Sequence, residues 1–203
     1  CLMSSSSAPA WTPADLTSLA FDFDPGDAST LTLVTTEIAA ATDAQGGALT
    51  LAAPTSGRRP TVESATPLDG FNGASFASND ALETATGGVT AAAAFSMLYL
   101  GNITQATLGS LARMGPQRAD FTAAKNATLG GKFADVSTQW WSAGAGDGGN
   151  GYGTYDTTVR SHIATYDGTT KRLYVDGEEA YSFAVTYDIA SAGFGLGPWH
   201  DSF

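Results

Sequence analysis

An all-β chain folded as an antiparallel two-sheet sandwich is predicted by three observations. Apolar residues alternate with period two in short segments, Asp-Gly pairs stand at the turns between them, and the composition is poor in charge and rich in glycine. The clearest stretch runs from Arg160 to Gly177, RSHIATYDGTTKRLYVDG. His162, Ala164 and Tyr166 alternate with Ser161, Ile163 and Thr165. Beyond Asp167, Gly168, Thr169 and Thr170, Leu173 and Val175 alternate with Arg172 and Tyr174. Alternation assigns each set to one face of a strand. One Asp-Gly pair opens the connection and a second stands at Asp176 and Gly177, so the arms are hairpins of a meander. Such a ribbon is marginal alone, and further sheets must cover its apolar face.

The bulk properties agree with one domain of this kind. The chain has 203 residues, 43% of them hydrophobic, which suffices for a sizeable core, and sandwiches of this length are commonly single domains. Only 14% of residues are charged and 24 are glycine, which suits short strands and small-residue turns. Nine basic residues face twenty acidic ones, a net charge of -11 that repels phosphate backbones and argues against nucleic acid as a partner. No run of about 18 apolar residues exists to span a membrane. Cys1 is the sole cysteine, so no intrachain disulfide forms and packing alone must hold the fold. A cysteine followed by Ser4 to Ser7 fits the acylated end of a bacterial lipoprotein on a polar tether. Met3, opening MSSSSAPAW, fits an ordinary reading frame and is the better of the two readings.

Taken in order, residues 1–14 hold four serines and two prolines and read as a flexible arm or attachment segment, with the sandwich over 15–203. Leu16, Leu19, Phe21 and Phe23 predict a strand, Asp24-Pro25-Gly26-Asp27 a turn, and Leu31 with Leu33 a second strand. Asp43 to Gly47 punctuates, and Ala48 to Ala52 alternates with Leu49 and Leu51 inward. The prolines between Thr55 and Leu68 suit an edge or a long loop. Ala91 to Leu100 is the most apolar run, with Phe95, Met97 and Tyr99 on one face and Leu98 and Leu100 on the other, which predicts a central strand buried on both sides. Leu108 to Met114 and Phe121 to Leu129 fit strands and short helical turns equally. Phe133 to Trp141 and Tyr181 to Tyr187 read as strands, and six glycines between Gly144 and Gly153 form a loop.

The ordered set LAFDFDPGDASTLTL (Leu19 to Leu33), Asp43 with Gly46 and Gly47, RPTV (Arg59 to Val62), LDGFNGASFASNDALET (Leu68 to Thr84) and SHIATYDGTTKRLYVDGEE resembles laminin-G-like, concanavalin-A-like jelly-roll domains, especially those of phage and phage-like particles and of bacterial surfaces. The resemblance covers most of residues 15–203. It implies two curved antiparallel sheets and a glycan-binding or structural role on the exterior of a virion or cell. Members usually continue beyond a segment like FGLGPWHDSF into a closing strand. Its absence here implies truncation or a neighbouring subunit that closes the sheet, and an open edge favours a homo-oligomer.

Catalytic chemistry finds little support in the sequence. A hydrolase on this fold needs paired carboxylates, and no Glu-x-Asp-x-Glu run is present. Asp22 and Asp24 read as turn stabilisers beside Pro25 and Gly26. Glu178 and Glu179 are adjacent and face opposite ways on a strand. No Gly-x-Ser-x-Gly elbow accompanies His162 and His200, and His162 reads as a packed core imidazole. Two histidines and one terminal cysteine make no zinc pattern. Gly144, Gly146 and Gly149 match a dinucleotide fingerprint by spacing, but no helix follows them.

Two binding constellations remain. Asp147, Asn150 and Asp156 place oxygen donors along the glycine loop where calcium could sit, although Asx residues favour such turns on their own account. Trp140, Trp141, Tyr152 and Trp199, with Asn150, supply aromatic faces and an amide for stacking on and bonding to a sugar; core and rim packing is the competing role. These observations predict a non-enzymatic exterior module of a phage or phage-like particle, a head or tail fibre or spike. It would bind surface glycan and attach to other particle proteins through its arm. A bacterial surface lectin or lipoprotein, a glycoside hydrolase and a purely structural knob stand as alternatives.

Overall fold

The computed structural model describes residues 21–64, 72–77, 79–84, 94–101, 109–115, 127–131, 138–141, 158–184 and 193–197; strands 109–115, 127–131 and 138–141 and residues 193–194 are described by their backbone. In chain order the strands are β1 (Leu31–Val34), β2 (Glu37–Thr42), β3 (Thr50–Ala52), β4 (Thr61–Glu63), β5 (Gly73–Ser75), β6 (Leu82–Glu83), β7 (Phe95–Gly101), β8 (Gly109–Gly115), β9 (Ala127–Gly131), β10 (Thr138–Trp141), β11 (Arg160–Tyr166), β12 (Thr170–Val175), β13 (Glu178–Ala184) and β14 (Gly193–Leu196). They form two antiparallel sheets. A ten-stranded sheet runs β10-β9-β8-β14-β6-β3-β2-β4-β5 with β1 also paired to β2, and a four-stranded sheet runs β13-β12-β11-β7. Between the sheets β10 lies close to β12 and β7 close to β8. The predicted two-sheet sandwich is therefore the observed architecture.

The β11–β12–β13 meander follows the residue pattern closely. His162, Ala164 and Tyr166 on β11 and Leu173 and Val175 on β12 are buried, while the residues between them are half-buried on the opposite face. Register pairs His162 with Val175, Ala164 with Leu173 and Tyr166 with Lys171, so the inward rows line up across the strands. The first turn is closed by the Asp167 carboxylate, which accepts from the Thr169 and Thr170 N–H groups at 3.0 and 2.8 Å. Gly168 takes φ +100° and its carbonyl accepts from the Tyr166 hydroxyl at 2.7 Å. At the second turn Asp176 and Gly177 take φ +52° and +86°, the left-handed pair that an Asp-Gly sequence tolerates. Here one-dimensional pattern and tertiary structure coincide.

The ten-stranded sheet has its own core, Ile38, Ala41, Leu51 and Leu82, against which Phe21, Phe23, Val62 and Phe76 pack. Leu51 points inward as predicted and is fully buried. Phe21 and Phe23 contribute to this core from an extended segment outside the regular strands, which corrects the predicted strand there; Leu16 and Leu19 lie outside the described residues. The Asp24 to Asp27 turn forms as expected, with Asp24 accepting from the Gly26 N–H at 2.8 Å and Asp27 capping the short 3-10 turn Ala28–Thr30. Asp22 accepts from the Gln45 side-chain amide at 2.8 Å. Asp22, Asp24 and Asp27 thus stabilise turns.

Asp43 has the larger structural role. Its carboxylate is buried and accepts from the N–H groups of Asp22 at 2.8 Å, Gln45 at 3.2 Å and Gly47 at 2.8 Å, tying the Phe21 segment to the β2–β3 turn. A Cβ at Gly47 would collide with that carboxylate, so the turn requires glycine there. Asp43→Ala leaves three donors without their acceptor, and the expected cost is about 2 kcal/mol or more in urea unfolding. A loss within about 0.5 kcal/mol would show that water replaces the carboxylate.

The Phe95 to Gly101 strand departs from expectation. It lies at one end of the four-stranded order, paired to β11, and Leu98 and Leu100 are 55% and 58% exposed. An apolar run cannot by itself distinguish burial on both faces from burial on one. Of the two undecided segments, 109–114 lies on β8 and 127–129 on β9, while Leu108 and residues 121–126 lie outside the described residues; β14 sits between β8 and β6. No described helix is long and apolar enough to cross a membrane.

Candidate functional site

The four-stranded sheet carries the described groups best suited to a ligand, and its two faces differ. Inward, beside the apolar rows, lie three polar residues. His162 is buried next to Tyr99, with ring centroids 5.9 Å apart. Burial pushes the Tyr99 phenol up to about 12 and holds the His162 imidazole below its ordinary pKa, against a smaller opposing pull from Asp176. Lys171 is wholly buried, its Nζ 5.5 Å from the Tyr181 ring centroid and 5.9 Å from that of Phe183, within cation–π range. Its position in phase with Leu173 and Val175 was visible in the sequence, but a lysine in an apolar phase reads as a strand-end residue until the burial is seen.

His162 accordingly makes stability pH-dependent. The unfolded imidazole takes up a proton around pH 6.5 and the folded one resists it, so the contribution is complete above that pH and declines as the pH falls through it. The urea midpoint is expected to drop between about pH 7 and about pH 5.5, and His162→Gln to flatten that drop. An equal drop in the variant would remove His162 as the cause.

The outward face is a different surface. Register places Leu98 beside Ile163 and Ile163 beside Tyr174, with Glu179 next on β13 after the bulge in that strand pair. The Tyr174 hydroxyl donates towards Glu179 Oε2 at 3.4 Å. Arg172 donates through Nη1 to Asp167 Oδ2 at 2.7 Å and reaches Glu179 at 4.0 Å through Nε. Arg160, in phase with His162 at the start of β11 and so not on this face, binds Asp176 at 2.8 Å. The guanidinium of Arg172, then the Thr170 and Thr169 donors, hold the Asp167 carboxyl well below the usual carboxylate range; Arg160 and then the Ser161 N–H lower that of Asp176. A half-buried aromatic ring, an exposed aliphatic strip and mixed donors and acceptors therefore share one open face. Stacking on the apolar side of a sugar and bonding to its hydroxyls need these groups.

Of the residues singled out from sequence, Trp140 and Trp141 lie on β10, at one end of the ten-stranded order and close to β12. Tyr152, Asn150, Asp147, Asp156, Trp199 and His200 lie outside the described residues. Among the described residues no group of three or more His, Cys, Asp or Glu side chains is placed to hold a metal ion. Glu178 and Glu179 do not form a facing pair: their register partners are Val175, which points inward, and Tyr174, which points outward. The Tyr174, Arg172 and Glu179 cluster went unnoticed in the sequence. Alternation placed Arg172 and Tyr174 outward, but Leu98, Ile163 and Glu179 reach them only through strand register.

No family model matches the chain, and no curated protein matches it. Among solved structures it is similar to domain 4 of an extracellular GH43 arabinanase from Geobacillus stearothermophilus, in complex with arabinotriose, at 16% identity and TM-score 0.51, covering 70% of this chain and 68% of that one. Weaker likenesses are to the marine PL7 alginate lyase AlyA1 from Zobellia galactanivorans (15% identity, TM-score 0.32, 53% of this chain and 50% of that one) and to a native glycosidic hydrolase (11% identity, TM-score 0.37, 86% and 71%). The arabinanase likeness is one of fold, and it agrees with the jelly-roll-like sandwich implied by the sequence. The expectation of a non-enzymatic chain is corrected here: the arabinanase domain, which comes from an enzyme, shares this sandwich, so the architecture is one that such proteins carry. The physical reason is that a sheet gathers side chains from distant strands, and a missing carboxylate run on one strand excludes nothing.

Proposed function

We propose that the chain binds a glycan on the outward face of the four-stranded sheet, and that it works on the outside of a particle or cell. The observation that carries this reading is Tyr174, an outward ring set between an apolar strip and the Arg172–Asp167–Glu179 cluster. The arabinanase domain, similar in fold and solved with a bound trisaccharide, supports it. The exterior setting rests on the resemblance to phage and bacterial surface domains and on the acidic charge, which keeps the chain away from nucleic acid. In that setting residues 1–14 are the attachment to other particle proteins.

A glycan array probed with the purified chain tests the reading, and it is repeated with a chelator to ask whether Asp147, Asn150 and Asp156 hold a calcium ion that binding needs. Release of reducing ends and of unsaturated products is measured in parallel, because the like-folded chains belong to enzymes that act on glycans. Saturable binding to a defined glycan is the expected result, with Tyr174→Ala lowering it. No binding in either arm would overturn the reading.

A further inference from the structure

We infer that the glycan is a neutral chain lying across the strands of the four-stranded sheet, an assignment that rests on the glycan-binding reading above. The direction comes from register. Leu98, Ile163 and Tyr174 occupy one row on three successive strands, and with strands about 4.8 Å apart the row spans about 10 Å before it meets Glu179. A strip of that kind supports consecutive sugar rings by their C–H faces. Leu98 is 55% exposed at one end, and the polar cluster closes the other.

Neutrality comes from the charges. Arg172, the described arginine on this face, is held by Asp167 at 2.7 Å, and Glu179 stands at 4.0 Å as a second acid beside it. One cation against two anions leaves no positive field to draw a polyanion, and the whole chain carries -11. A uronate or sulfate chain would have to break those pairs and approach a negative surface. Hydroxyl groups face no such opposition. Ion pairs already in place offer them both carboxylate acceptors and guanidinium donors, fixed in position before the ligand arrives.

Isothermal titration of the full chain with soluble neutral polysaccharides (arabinan, xylan, glucan) and with polyuronates (alginate, polygalacturonate), at low and high salt, tests the assignment. Binding to a neutral polymer is expected, changed less than about twofold by salt and at least about tenfold tighter than any polyuronate. Leu98→Glu, at an exposed position, is expected to weaken it at least about fivefold while the far-ultraviolet circular dichroism stays unchanged. Preference for a polyuronate, or a steep loss with salt, would overturn the neutral assignment and leave glycan binding standing. Neutral binding untouched by Leu98→Glu would overturn the cross-strand strip. Silence from every polymer would overturn this inference together with the function it rests on.

Discussion

Tyr174→Ala is expected to lower affinity for the bound glycan at least about tenfold, a loss of about 1.4 kcal/mol, while the protein remains folded. The ring is the one aromatic in the Leu98–Ile163–Tyr174 row, and its hydroxyl is directed at Glu179. Alanine removes the stacking surface and the hydroxyl together, whereas Tyr174→Phe keeps the ring and is expected to retain most of the affinity. The ring also takes part in cross-strand pairing with Ile163, so a stability cost of up to about 1 kcal/mol accompanies the alanine variant. Titration beside a thermal melt separates the two effects. Unchanged affinity in Tyr174→Ala would move the binding surface off this face, towards the β10 tryptophans.

Leu173→Ala is expected to be the most damaging single truncation in the four-stranded sheet, at about 3 kcal/mol. Leu173 is fully buried, paired to Ala164 on one side and Tyr181 on the other, in the middle of the inward row. Alanine opposite an alanine leaves a hole that neither strand can close. For a chain of this size the loss corresponds to a fall in melting temperature of about 6 to 12 °C. Leu98→Ala is the control: the same truncation at 55% exposure on the outward face should shift stability by less than about 0.5 kcal/mol. Equal losses at the two positions would contradict the assignment of inward and outward faces.

How far the sequence could be read depended on whether each feature is local. The β11–β12 ribbon was legible because alternation and Asp-Gly turns are properties of neighbouring residues, and every residue placed inward there is buried. The role of Asp22, Asp24 and Asp27 in turns was legible for the same reason. β7 was misread as a central strand, because Leu98 and Leu100 have the same composition whether a second layer covers them or not. Lys171 was passed over, because its burial and the two β13 rings near its ammonium arise only when the strands pair. The sequence drew attention to aromatics near the glycine loop, where tryptophans are conspicuous; Tyr174 drew none, because its outward neighbours are scattered over about eighty residues.

The exclusion of catalysis failed for a related reason. It tested for carboxylates on one strand, but an antiparallel sheet assembles its surface from several.

By itself the sequence determined that this chain makes short antiparallel strands, where the ribbon turns, which side chains of that ribbon enter a core, and that its charge repels polyanions. The tertiary structure decided which strands stand side by side. It thereby decided that Leu98, Ile163, Tyr174 and Glu179 form one row and that the outward side of β7 meets solvent. The difference is physical: alternation and turn conformation are set by adjacent residues, whereas register and layer order are set by burial between strands far apart in the chain.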